Sequence, residues 1–201
     1  MKMIHRGAEA VLYRSKWQGL ESLVKKRVKK GYRIKELDVK LRKERTKKEA
    51  SLLSDARRIG VLTPKVFSIS DFIIEMEMIE GEKLKDVLND LPEKYEIIER
   101  VGEIVGKLHS SGIIHGDITT SNMILRGDDI YLIDFGLGFH SRSVEDRAVD
   151  IHLFHRALES THFKYLNQLW KSFLRGYRKT CEDYEEVISR VNIIRKRGRY
   201  A

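Results

Sequence analysis

Three oxygen-bearing side chains stand close together in the second half of the chain, at a spacing that suits phosphate chemistry. Asp117 and Asn122 belong to the run His115-Gly116-Asp117-Ile118-Thr119-Thr120-Ser121-Asn122, and Asp134 opens the run Asp134-Phe135-Gly136. Asp and Asn oxygens are hard ligands, suited to Mg²⁺ and unsuited to zinc. Phosphoryl transfer needs such a set: one carboxylate orients an attacking hydroxyl or water, while an amide and a second carboxylate hold the ion that bridges the phosphates. The plainer explanation is a loop of capping Asp and Asn residues. Both runs at one helix-to-hairpin junction argue against it.

The elements that must position these residues follow from apolar spacing and turn signals. Residues 3–14 and 20–28 alternate as two strands around a turn at Trp17-Gln18-Gly19. Residues 35–58 read as one long helix, with Leu37, Leu41, Ala50, Leu52, Leu53, Ala56 and Ile59 as an interrupted apolar stripe under a basic surface. Gly60 stops it and Pro64 marks the turn beyond. Segments 65–69 and 72–78 form a hairpin through Ser70-Asp71, and Glu80-Gly81-Glu82-Lys83 marks a lobe boundary. Helices then fit Lys83–Asn89 and Pro92–Ser110, the second burying Ile97, Ile98, Val101, Ile104, Val105 and Leu108. Short strands near 123–125 and 130–133 precede helices at 146–159, 162–179 and 182–194. Strands first and helices later predict an α+β fold: a small β-rich lobe with a long helix over 1–79, and a helical lobe over 80–201.

Composition narrows the class. The 201 residues are 41% hydrophobic and 34% charged with 2 Pro and 14 Gly, which excludes collagen-like, mucin-like and wholly disordered chains. One cysteine, Cys181, offers neither an internal disulfide nor a cysteine cluster for zinc. No signal-like opening and no run of about 18 apolar residues is found, so a soluble cytoplasmic chain with no membrane span is the expectation. The net charge of +9 is uneven: residues 25–48 hold 13 basic and 3 acidic residues, and 190–199 hold 5 basic and none acidic. Two such blocks suggest an anionic partner, nucleic acid first, against the alternative of a solvated helix face and a frayed tail.

The motif His-x-Asp-x-x-x-x-Asn followed by Asp-Phe-Gly resembles the catalytic and metal loops of protein kinases and their phosphotransferase relatives. The longer stretches HGDITTSNM, RVKKGYR, RTKKEA and GAEAVLY, with Ser160-Thr161-His162, narrow the resemblance to the Bud32 family, also called p53-related protein kinases, of the KEOPS (EKC) complex. It covers essentially the whole chain. It implies a minimal protein-kinase-like bilobal fold with a reduced C-lobe, and ATP and Mg²⁺ as cofactors. Asp117 would be base or positioner, with Asn122 and Asp134 as Mg²⁺ ligands. Lys25 would grip the α- and β-phosphates and pair with Glu49. Lys26 and Glu44 are the rivals, though strand alternation sets Leu23 and Lys25 together toward the cleft and Lys26 away. Gly7, Ala8, Glu9 and Ala10 would form the phosphate loop, and Val11 and Leu23 would roof the adenine. Met76 would be the gatekeeper, Glu77 and Ile79 would give backbone hydrogen bonds to the base, and Gly81 would open the exit.

The departures from common kinases also carry meaning. The phosphate loop has one glycine, Thr119 replaces a phosphate-steadying lysine, and no Ala-Pro-Glu run follows Gly136. A peptide-docking platform is therefore not expected. The family implies serine/threonine kinase activity in isolation. It also implies ATPase support for threonylcarbamoyl addition to an adenosine of tRNAs reading codons that begin with A. The partners implied are the Kae1 (TsaD-like) subunit, a Cgi121-like subunit and tRNA, the last through the basic tail after Ile194. Two alternatives remain: a small-molecule phosphotransferase, and a scaffold without turnover. His115 is expected to brace its loop, and His152, His155 and His162 to be interior or interface polar groups.

Overall fold

A computed structural model describes residues 1–197. The single strand expected over 3–14 is two: β1 (Lys2–Arg6) and β2 (Ala10–Trp17) pair antiparallel. Alternation continues across the break, but the Gly7 amide donates to the Ala10 carbonyl at 2.9 Å and closes a turn over Gly7-Ala8-Glu9. β2 passes to β3 (Leu20–Arg27) through Gln18 and Gly19, both at positive φ (49° and 85°), the left-handed pair that matches the twist of a two-residue hairpin.

The long helix α1 (Lys35–Arg58) has the expected bounds, but it does not bury the expected stripe. Its second half buries Ala50, Leu52, Leu53 and Ala56 together with the charged Glu49, whereas its first half turns only Asp38 and Thr46 inward and leaves Leu37 48% exposed. Asp38 can be buried because the Lys30 amide (3.1 Å) and the Arg42 guanidinium (2.7 Å) donate to its carboxylate. After Gly60, at φ 81°, the hairpin β4 (Val66–Ser70) and β5 (Ile73–Glu77) completes a sheet ordered β1-β2-β3-β5-β4, with α1 packed on β4 and β5.

Beyond the connector come β6 (Glu82–Lys83), α2 (Leu84–Val87), α3 (Lys94–Ser110), β7 (Ile113–Ile114), β8 (Met123–Arg126), β9 (Asp129–Leu132), β10 (Phe139–His140), α4 (Val144–Thr161), α5 (Leu166–Thr180) and α6 (Tyr184–Arg197). The α3 face expected to be buried is buried, with Ile104 at its edge. Its backbone meets α5 closely, because a Cβ on Gly102 or Gly176 would overlap a carbonyl oxygen of the other helix. Ser143 caps α4 by accepting from the amides of Glu145 (3.2 Å) and Asp146 (3.5 Å). Only Leu137–Arg142 separates Gly136 from this cap.

The helix expected over 182–194 runs on to Arg197, since Arg and Lys are good helix formers and Ile194 still packs on the core. The rest of the basic tail, Gly198 to Ala201 with Arg199, lies outside the described residues. Among the described residues no helix is long and apolar enough to cross a membrane.

Candidate functional site

Lys25 lies in the middle of β3, opposite Leu12 on β2 and Ile74 on β5. Its Nζ is 2.6 Å from Glu49 Oε1 and 2.7 Å from Asp134 Oδ1, with only 8% of the residue exposed. Lys26 and Glu44, the rivals, are exposed. Burial works to lower the lysine's pKa, but the two carboxylates outweigh it and hold it above its ordinary value. Asp134 shows the converse: burial would raise it, yet the Lys25 charge and the Gly136 amide hold it below. Arg27 is a member of this cluster that the sequence reading missed. It shares strand parity with Lys25, and its Nη2 is 2.5 Å from Glu49 Oε2. Parity was the available signal, hidden inside a basic run.

Asp117 is exposed at the cleft, on the loop between β7 and β8. Asn122 Nδ2 donates to the Asp117 carbonyl (2.8 Å) and carboxylate (3.0 Å), so its Oδ1 remains an acceptor. His115 is fully buried, its Nε2 donating to the Ile133 carbonyl (3.2 Å) while its Nδ1 accepts the Asp117 amide (3.3 Å). That pattern requires the neutral ring, and burial pushes its pKa down accordingly. The loop is also tied to α4 through Asp150, which no sequence motif flagged. Asp150 accepts from the amides of His115 (3.0 Å) and Gly116 (2.9 Å) and from His109 Nε2 (3.2 Å). His162, Nδ1 donating to Asn89 (2.8 Å), accepts the Thr120 hydroxyl at 3.0 Å.

Asp134 adopts φ 62°, in the left-handed region that Asp tolerates better than most non-glycine residues. Phe135 anchors it, buried against His115 with ring centroids 4.5 Å apart. Asn122 Oδ1 and the second Asp134 oxygen have no protein donor among the described residues. Two unpaired oxygens of this type fit Mg²⁺.

Two adjoining cavities complete the site. The larger, about 470 Å³, is lined by Gly7, Ala8, Glu9, Ala10, Lys25, Arg27, Arg45, Asp117 and Asp134 among others. Asn122 does not line it directly and meets it through Asp117. The smaller, about 220 Å³, is mainly apolar and bounded by Leu23, Met76, Glu77, Ile79, Ile124 and Ile133 among others. Val11, expected as roof, does not line it. Cross-strand partners share a face, and Val11 pairs with Lys26, whereas Leu12 pairs with Lys25 and lines the cavity with Ile4. The Glu77 amide donates to the Lys65 carbonyl at 2.8 Å and is not free for another acceptor. Gly81 is there for packing, since a Cβ would overlap the Leu125 carbonyl.

The family model of the RIO domain matches residues 11–151. The KEOPS complex subunit Bud32 of Pyrococcus abyssi is 45% identical, over 100% of this chain and 96% of that protein. The "Probable bifunctional tRNA threonylcarbamoyladenosine biosynthesis protein" of Methanosarcina mazei is 47% identical over 201 residues, and this chain spans 36% of its length. In fold, the chain is similar to the Rio2 kinase of Chaetomium thermophilum, with a TM-score of 0.68 at 15% identity over 100% of this chain and 74% of that one. The architecture is thus the bilobal kinase-like one. A family match over most of the chain and a relative of nearly equal length agree, and the chain belongs to the RIO-domain family, on its Bud32 branch.

Proposed function

We propose that this chain binds Mg·ATP in the cleft and transfers or hydrolyses its γ-phosphoryl group. The observation that carries this reading is one cleft in which Lys25, paired with Glu49 and Asp134, faces Asp117 across a cavity beside an apolar slot. Adenine fits the slot against Met76, with the Glu77 carbonyl and the Ile79 backbone toward the base and Leu23 above it. The triphosphate would run under Gly7–Ala10 to Lys25. Asn122 and Asp134 would hold Mg²⁺, which supplies neutralisation of the phosphate charge. Asp117 orients water, or a Ser/Thr hydroxyl, in line with the bond to be broken. The oxygen bonds to γ-phosphorus, the bond to the β–γ bridging oxygen breaks, ADP leaves with the electron pair, and the nucleophile's proton passes out by way of Asp117. The short segment after Gly136 favours water over a peptide hydroxyl.

The relatives' names extend the reading to a setting. We infer that this turnover serves threonylcarbamoyladenosine formation on tRNA, within a KEOPS-type assembly containing a Kae1 (TsaD-like) and a Cgi121-like subunit. ATP turnover measured with and without Mg²⁺, tRNA and a TsaD-like partner tests it. Mg²⁺-dependent release of phosphate, stimulated by partner and tRNA, is the expected result. Phosphorylation of a small alcohol without such stimulation would replace it with a small-molecule phosphotransferase.

A further inference from the structure

No basic residue lies between Asp117 and Asn122, so the catalytic loop itself brings no cation to the γ-phosphate. The transferred group still concentrates negative charge, and a donor that holds it more strongly in the transition state than in bound ATP lowers the barrier. The larger cavity contains three side chains of permanent or near-permanent positive charge. Lys25 is committed to Glu49 and Asp134, and Arg27 to Glu49, all within the buried cluster. Arg45 is different. Its Nη1 is 3.0 Å from Glu9 Oε2, and the two side chains are 35% and 50% exposed. An exposed pair of this kind is weakly held, so its exchange for another anion costs little.

Position and chemistry agree on what that anion is. Arg45 stands one helical turn before Glu49 on α1, so both reach into the cleft from the same face. Glu9, its partner, is in the turn that covers the cavity. A carboxylate there would repel an incoming triphosphate unless it is neutralised. Lys30 provides a second hold on the turn: its Nζ donates to the Ala8 carbonyl and is 3.6 Å from Glu9 Oε1. Lys30 does not line the cavity, so it can keep Glu9 neutralised after Arg45 leaves. Guanidinium, with its planar fork of donors, is the group best shaped for phosphoryl oxygens.

Resting on the Mg·ATP reading above, we propose that Arg45 is a catalytic residue that leaves Glu9 for the γ-phosphoryl group when ATP binds. It takes the role that a lysine at position 119 would otherwise hold. Glu9 is its parking site, and Lys30 keeps the loop in place during the exchange.

The test compares affinities of the wild-type chain, Arg45→Gln and Arg45→Lys for Mg·ADP and for the Mg complex of the non-hydrolysable imido analogue of ATP, together with kcat for ATP hydrolysis. Arg45→Gln is expected to lose affinity for the analogue and to lower kcat by roughly 10- to 100-fold, with ADP affinity unchanged within about two-fold, because ADP lacks the group contacted. Arg45→Lys should recover part of kcat. Glu9→Gln should tighten analogue binding through the freed guanidinium, and this gain should vanish in the double variant with Arg45→Gln. Equal losses for ADP and analogue would make Arg45 a prop for the loop and overturn the proposal, as would unchanged kcat and discrimination. A wild-type chain that binds the analogue and turns over ATP while Arg45→Gln does the same leaves only this proposal refuted. A wild-type chain that binds neither nucleotide removes the Mg·ATP reading itself, and this proposal with it.

Discussion

Glu49 shows how much rests on single atoms at this site. One side chain, 1% exposed, receives both Lys25 and Arg27. Removing one partner from a buried pair leaves uncompensated charge and costs about 3–5 kcal/mol. Glu49→Gln is therefore expected to lose stability of that order in urea unfolding, and nucleotide affinity with it, while Glu44→Gln on the exposed face should stay within about 0.5 kcal/mol. His155 makes a separate prediction. Burial, the nearby Arg195 and, more weakly, His152 push its pKa down to about 4 from 6.5. An unfolded chain accepts a proton between those values that the folded chain refuses. Stability is thus full above pH 6.5 and falls as the pH drops toward 4. Melting temperatures at pH 7 and pH 5 should differ in that direction, and His155→Phe should shrink the difference. Asp150, held below its ordinary value against burial chiefly by its bond to His109, adds a further loss only at still lower pH.

At the scale of elements, the catalytic loop is held by what packs behind it. α3 and α5 meet backbone to backbone, and Gly176 leaves no room for a methyl group beside the Glu99 carbonyl. Gly176→Ala is expected to cost about 2 kcal/mol or more by forcing the helices apart, read as a lower melting temperature. Gly31→Ala, in open space, should melt like wild type. Sequence legibility divides along the same line. The buried face of α3 is readable because apolar spacing at helical period is a local property, and the end of α1 because Gly60 marks it. The break between β1 and β2 is not, since alternation runs unbroken through Gly7-Ala8-Glu9 and no strong turn pair marks it. That Leu12 rather than Val11 lines the apolar slot depends on the β2–β3 register, which puts Leu12 opposite Lys25 and is not written in either strand alone. The residues Asp117, Asn122 and Asp134 were legible as motifs, whereas Asp150 and Arg45 were not. Their significance comes from folding a helix against a distant loop, and neither stands in a pattern that marks it.

For the whole molecule, charge is the remaining property to place. The basic excess is concentrated on α1, its flanking loop and the end of α6; Lys25, Arg27 and Arg45 from the first block reach the cleft and pair with carboxylates there. If the α6 end meets tRNA phosphates, truncation after Ile194, which removes Arg195, Lys196, Arg197 and Arg199, lowers tRNA affinity and makes its salt dependence shallower. Unchanged affinity and slope would assign RNA contact elsewhere and leave the cleft chemistry untouched. That chemistry is the central claim, and it requires Asp117 to act on the nucleophile rather than to bind nucleotide. Phosphate release and autophosphorylation by Asp117→Asn, with nucleotide affinity measured on the same sample, test it most directly. A fall of about 100-fold or more in both activities, with Mg·ADP still bound, is the predicted result. Retention of both activities by the variant would contradict it.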